Sequence, residues 1–365
     1  MFAAREYGVD REEPMKLSRR NMMKTGAALL AAPFVLKMGV ARAQETITLK
    51  LHHFLPPASN VHQRLLTPWA KSLADQSGGA LKVDIFPAMQ LGGKPPQLYD
   101  QASNGVVDIV WTLPGNTPGR FPSTEVFELP FVAAKEATVN AQACQEYGQT
   151  HVLKETGDTQ LLCFWAHDQG LIHTNKEVKS SADLAGLKLR NPTRLAGEAL
   201  AALGATPVGM PIPQVPEALA QRSIDGCVLP WEVVPSIKVN ELTKFHTEIS
   251  GSPTLYTATF FLAMNKSKYD GLPADLKAVL DANSGMAFAK KAGEMWDSVG
   301  AEVRAAIEAS GEGTISTISE EEKAKWVEAT RPVHDKWIED MKAKDLDGKA
   351  LIAAAQALVQ KYSGA

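Results

Sequence analysis

Side chains able to grip or transform a small molecule are scattered along this 365-residue chain, so their types limit the available chemistry. No Gly-x-Ser-x-Gly elbow, Gly-x-Gly-x-x-Gly after a strand, phosphate loop, His-Glu-x-x-His or EF-hand loop occurs. Gly311-Glu312-Gly313 follows a helical pattern, the wrong context for a dinucleotide loop. Eight histidines are spread out, and the adjacent pair His52-His53 points to opposite faces of a strand pattern. One of that pair at most can face a given site. No nucleophile–base pair or metal cluster is selected by spacing, so neither cofactor nor metal is expected. Arg190 is better placed. It lies where the short strand Lys188-Leu189-Arg190 opens into Asn191-Pro192-Thr193. In open α/β sheets ligands bind beyond the carboxyl ends of the strands. A guanidinium is always charged and its planar fork grips a carboxylate through two hydrogen bonds. By residue type alone, a surface ion pair is the rival role for Arg190.

The elements that must position such residues follow from periodicity. Ile47–Leu51 alternates as a strand. Asn60 stands where it can cap a helix whose Val61, Leu65, Trp69 and Leu73 form one apolar stripe. Ser77-Gly78-Gly79 ends it, Leu81, Val83 and Ile85 alternate as a second strand, and a short helix at 97–103 leads to a third strand, Val106–Trp111. This βαβ order predicts a parallel sheet flanked by helices. The same logic recurs in the strands 161–165, 188–190 and 224–229, with helices at 195–203 and 215–222. A β-rich segment follows at 257–264, then one long helical pattern at 275–310 with glycines at 285, 293 and 300, and a helical pair at 319–344 and 348–362.

Composition bounds the class. Hydrophobic content of 45% and charged content of 22% are globular values, and the length predicts about two domains. The formal charge of −3 is an average over unlike parts. Residues 1–43 hold eight basic and four acidic side chains, which leaves the remainder at −7. That basic excess is ordered as Ser18-Arg19-Arg20-Asn21-Met22-Met23-Lys24, a short apolar stretch at 26–36, and Ala41-Arg42-Ala43. Charged, apolar, then small is the order of a secretory signal, and the paired arginines predict twin-arginine export with cleavage after Ala43. The mature protein is then expected in the periplasm. Its near-neutral to acidic balance argues against nucleic-acid binding. Cys144, Cys163 and Cys227 read as buried free thiols, with a Cys144–Cys163 bridge left open.

An ordered set of segments resembles the periplasmic solute-binding subunits of tripartite ATP-independent periplasmic (TRAP) transporters, the dicarboxylate-binding type. These segments are Phe86-Pro-Ala-Met-Gln-Leu-Gly-Gly93, Asn104-Gly-Val-Val-Asp-Ile109, Asp183-Leu-Ala-Gly-Leu-Lys-Leu-Arg190, Ala218-Leu-Ala-Gln-Arg-Ser-Ile-Asp-Gly226 and Met264-Asn-Lys266 with Leu272-Pro-Ala-Asp-Leu276. The resemblance implies an α/β, two-lobe periplasmic binding protein fold with hinge segments and a long helix spanning both lobes. Lobe I would hold 44–167 and 256–298, and lobe II 168–255 and 299–365. It implies a monomeric, non-catalytic protein that closes on a small-molecule carboxylate and hands it to small and large membrane subunits. A periplasmic enzyme and a sensor partner are the rival readings.

The resemblance makes Arg190 the ligand arginine, with Asn191 beside it. The chain departs from the family elsewhere. Leu229-Pro230-Trp231 stands where many members carry a polar residue, Gly170 stands near the place of a second arginine with His167 and Asp168 before it, and Pro95-Pro96 replaces an acidic position. Phe54, Trp111 and Trp231 are expected to face the cleft, with His53 and His167 as further lining. One cationic clamp and apolar walls predict an aromatic or otherwise apolar monocarboxylate.

Overall fold

The computed structural model describes residues 45–364; segment 1–43, expected to be an export signal, lies outside the described residues. Strand β1 (Ile47–His52) buries Leu49 and Leu51 and pairs in parallel with β2 (Leu81–Phe86) and β3 (Ile109–Thr112). Strand β4 (Thr159–Ala166) ends the first run. The chain then crosses to a second sheet through β5 (Leu171–Thr174), β6 (Lys188–Asn191), β7 (Thr206–Gly209), β8 (Gly226–Leu229) and β9 (Phe245–Ile249). It returns to the first sheet as β10 (Thr259–Asn265), and β11 (Thr314–Ile318) closes the edge of the second. The orders are β2-β1-β3-β10-β4 and β11-β9-β5-β8-β6-β7. These are the sheets of the two lobes.

Neither sheet is wholly parallel. β10 runs antiparallel to β3 and β4, and β5 runs antiparallel to β8 and β9. Both are the strands that enter a lobe directly from the crossing, without a helix to reverse direction first. The crossings lie side by side: His167 N–H donates to Ala258 O (3.4 Å) and Gly170 N–H to Tyr256 O (3.0 Å).

Four local readings need correction. The first helix opens as a wide π-type turn, Val61–Leu66, before the regular helix Thr67–Gln76. Pro68 has no N–H to donate one turn back, which suits a widened turn there. Asn60 does not cap this helix; its Nδ2 donates to the Glu232 carbonyl at 3.0 Å, while Ser59 Oγ accepts from His62 N–H at 3.4 Å. Strand β3 starts at Ile109 because Val106, 63% exposed, belongs to the turn at Gly105. The long helical pattern breaks into Ala274–Ala282 and Gly285–Ser310. Gly285 there has φ +56°, a left-handed backbone that other residues resist. Trp69 Nε1 donates to the Asn283 carbonyl at the break (2.9 Å).

The 26-residue helix Gly285–Ser310 is about 39 Å long at 1.5 Å per residue. It touches both lobes. Asp297 accepts from Ala137 N–H (2.7 Å) and Thr138 N–H (2.9 Å) at the start of the helix Ala137–His151, and Arg304 pairs with Glu248 of β9 (2.9 Å). The helix Ala137–His151 and the strands β7, β9 and β11 have weak sequence signals and emerge only here. Cys144, Cys163 and Cys227 are free and buried. Among the described residues no helix is long and apolar enough to cross a membrane.

Candidate functional site

The carboxyl ends of β1, β3, β6 and β8 and the start of β10 converge on one cavity between the lobes. It holds about 540 Å³ of atom-free space, its mouth included. Phe54, Trp111, Leu113, Tyr256, Phe260 and Trp296 are among the large side chains that line it. Phe54 stacks on Trp111 with ring centroids 4.6 Å apart, and Phe260 lies against both Trp111 (5.3 Å) and Trp296 (5.4 Å). Trp296 comes from the long helix, so that helix closes the floor of the site as well as joining the lobes.

Arg190 lines the cavity and is 3% exposed. Its neighbours are neutral: Nε donates to Met210 O (3.0 Å) and Nη1 to Val228 O (3.3 Å). Burial lowers its pKa below the usual guanidinium value, with Tyr256 and Cys227 opposing that shift. Among the described residues no carboxylate pairs with it. Arg194, the first residue of the next helix, contrasts: it meets Glu125 at 2.7 Å, Glu198 at 3.0 Å and Asp340 at 3.1 Å. A buried cation without a counter-ion is costly unless an anion arrives to pair with it. The carbonyls of Met210 and Val228 fix the fork in place.

His167 also lines the cavity, as a neutral ring. Its Nδ1–H donates to Asp168 O (2.6 Å) and its Nε2 accepts from Ala258 N–H (2.9 Å), so both ring nitrogens are used. Burial pushes its pKa down to about 3. Its ring faces Tyr256 edge-on at 5.6 Å. His167 is therefore wall and not a second cation.

Three expected lining residues stand outside the cavity. Trp231 turns away on a 3-10 turn, donates from Nε1 to Glu248 (2.9 Å) and packs on His173 and His246. The same turn brings Glu232 and Val233 to the wall. Asn191 donates to Thr193 O (2.8 Å), which shapes the loop that carries Pro192 to the cavity. His53 sits behind Trp111, accepting from Leu55 N–H (3.2 Å) and bonding His62 (3.0 Å). Each is spent on supporting a neighbour that does line the site.

The departures in sequence acquire a physical meaning. A Cβ on Gly170 would lie 1.8 Å from Tyr256 Cε1, so the absent side chain is what admits the Tyr256 ring beside Arg190. Pro95 lines the cavity with a neutral surface. Tyr256, Phe260, Trp296 and Glu232 were not selected by sequence reasoning. Phe260 lay within a recognised apolar strand, but no spacing marked which of its residues faces the cleft.

The profile of the bacterial extracellular solute-binding protein family 7 matches residues 51–340. The C4-dicarboxylate-binding periplasmic protein DctP of Rhodobacter capsulatus is 27% identical, over 91% of this chain and 98% of that protein. A TRAP solute-binding protein of Rhodoferax ferrireducens T118, solved with copurified benzoate, is 47% identical with a TM-score of 0.84, covering 87% of this chain and 99% of that one. A marine-metagenome TRAP solute-binding protein described as specific for aromatic acid ligands, solved with 3-hydroxybenzoate, is 46% identical with a TM-score of 0.85, over 87% and 99%. Profile, length and fold agree with a two-lobe architecture that carries a solute and not a reaction, and this chain belongs to the bacterial extracellular solute-binding protein family 7, the solute-binding proteins of TRAP transporters.

Proposed function

We propose that this protein captures a small aromatic monocarboxylate in the periplasm and delivers it to the small and large membrane subunits of a TRAP transporter. The observation that carries the reading is Arg190, buried at the strand ends with neutral partners and no carboxylate paired to it among the described residues. Its fork takes the ligand's carboxylate, while Phe54, Trp111, Phe260 and Trp296 take the ring. The walls offer no second cation for a dicarboxylate. Benzoate and 3-hydroxybenzoate in the two similar proteins support the same ligand class.

Lobe closure brings the two walls together. The Asn60–Glu232 hydrogen bond (3.0 Å) and the Arg194–Glu125 ion pair (2.7 Å) join segments of the two lobes and support that motion. The hinge lies in the paired crossings at 167–170 and 256–258, and export follows the twin-arginine signal at 18–24. The monomer is the working unit.

A thermal-shift screen on the mature chain tests the reading, because a ligand that binds only the folded state raises its melting temperature. Benzoate and its hydroxylated relatives are expected to raise Tm, and succinate and malate to leave it unchanged. Stabilisation by the dicarboxylates alone would overturn the ligand class.

A further inference from the structure

The cavity holds polar atoms that a carboxylate clamp at Arg190 leaves unused. Glu232 lines it, is 1% exposed, and its Oε1 has no hydrogen-bond partner. The indole N–H groups of Trp111 and Trp296, two further lining residues, are buried without acceptors. Glu232 and Arg190 have different surroundings. Val61 N–H and the Asn60 side chain face the Glu232 carboxyl, and Asp168 is its acidic neighbour. Tyr256, Cys227 and His167 are the titratable neighbours of Arg190. Glu232 and Arg190 are thus two polar groups, with different immediate partners, in one cavity lined by aromatic rings.

Resting on the reading of an aromatic monocarboxylate, we propose that Glu232 receives a hydroxyl group carried by the ligand remote from its carboxylate, so that the protein selects hydroxylated aromatic acids over their unsubstituted parents and rejects a second carboxylate. A hydroxyl can donate to one group and accept from another. Here a carboxyl and the indole N–H groups are the waiting partners. Burial pushes the Glu232 pKa up to about 8, so it is largely the neutral acid at pH 7. A neutral carboxyl both donates and accepts, and it places no charge against an anionic ligand. An unsubstituted ring leaves the buried Oε1 unpaired, which is the condition under which a polar site discriminates against an analogue lacking the matching group. A second ligand carboxylate meets a carboxyl and no cation at Glu232, so its desolvation is not offset.

Isothermal titration of the mature chain at pH 7 with benzoate, 3-hydroxybenzoate, 4-hydroxybenzoate and isophthalate tests this. The tighter hydroxybenzoate is expected to bind at least about tenfold better than benzoate, and isophthalate weaker than benzoate. Glu232→Leu should bring the hydroxybenzoate-to-benzoate ratio to within about twofold, while Glu232→Gln, the isostere of the neutral acid, should keep most of it. The ratio is the readout because Glu232 also stands beside Asn60 and Val61, and any general weakening cancels between two ligands on one variant. Equal affinities for benzoate and both hydroxybenzoates in the wild type overturn the proposal, as does an unchanged ratio in Glu232→Leu. The wild-type ratio and the Gln variant carry the test even without a folded Leu variant. If no aromatic acid binds the wild type, the ligand class itself is wrong, an outcome distinct from equal binding of all three.

Discussion

At Arg190 the energetics run in opposite directions with and without ligand. The guanidinium is buried among neutral carbonyls, so in the unliganded protein it contributes an unpaired charge. Arg190→Met should therefore abolish acid binding while leaving the unliganded melting temperature equal or higher. Calorimetry with and without benzoate checks both halves; a large fall in the unliganded Tm would mean that Arg190 is structural. Arg190→Lys keeps the charge but loses the fork, and should weaken binding at least about tenfold by titration. Gly170 gives a second residue-scale expectation. Adding a Cβ 1.8 Å from the Tyr256 ring must displace that ring, so Gly170→Ala should destabilise by about 1–3 kcal/mol in urea unfolding and weaken ligand binding together. Arg190 was legible in the sequence because it ends a segment, Asp183–Arg190, that resembles the family's; by residue type alone a surface ion pair was its rival role. Tyr256 was not, since its position depends on the space left by a glycine 86 positions earlier in the chain.

Among the elements, the helix Gly285–Ser310 does most to assemble the site, by supplying Trp296 and by bracing both lobes through Asp297 and Arg304. Its glycines do not act alike. Gly285 sits at φ +56° and breaks the pattern, whereas Gly293 lies inside the helix where a Cβ would be 2.6 Å from Thr138 Cα. Propensity alone says Gly293→Ala should stabilise by about 1 kcal/mol. Packing says the opposite, because the contact is with backbone that cannot swing aside. Net destabilisation of about 1–3 kcal/mol in urea is expected, and a gain in stability would show that the two helices part easily. The helical pair at the C-terminus was readable as 319–344 and 348–362, and in the structure Ser319 and Asp347 accept from Glu322 and Ala350 N–H as N-caps do. The short strands β7 and β9 were not, because four or five residues give too little periodicity to separate a strand from a loop.

Over the whole molecule, buried titratable groups set the response to pH. Burial raises Glu128 to about 7 and Glu232 to about 8, so the folded state holds protons there that the unfolded chain has released. Their contribution to stability is full near pH 4.5 and is lost as pH rises through 7 to 8. Burial lowers His53, His167 and His173 to about 3 and His246 to about 4, so below about 6.5 the unfolded chain takes up protons that the folded state refuses. Their contribution is lost as pH falls. Stability is expected to peak between pH 6 and 7, and Glu232→Gln should flatten the alkaline limb in a Tm-versus-pH series. A Tm that climbs steadily to pH 9 would contradict this balance of groups. The amino-acid order alone carried the paired-arginine pattern that predicts export, the ordered family segments and the arginine at a strand end, because each is a local pattern with a fixed spacing. Only the tertiary structure decided which aromatic rings form the wall, that Trp231 turns away while Glu232 turns in, and that Arg190 meets no carboxylate among the described residues. Those are properties of side-chain direction and of neighbours remote in sequence, which no local spacing encodes.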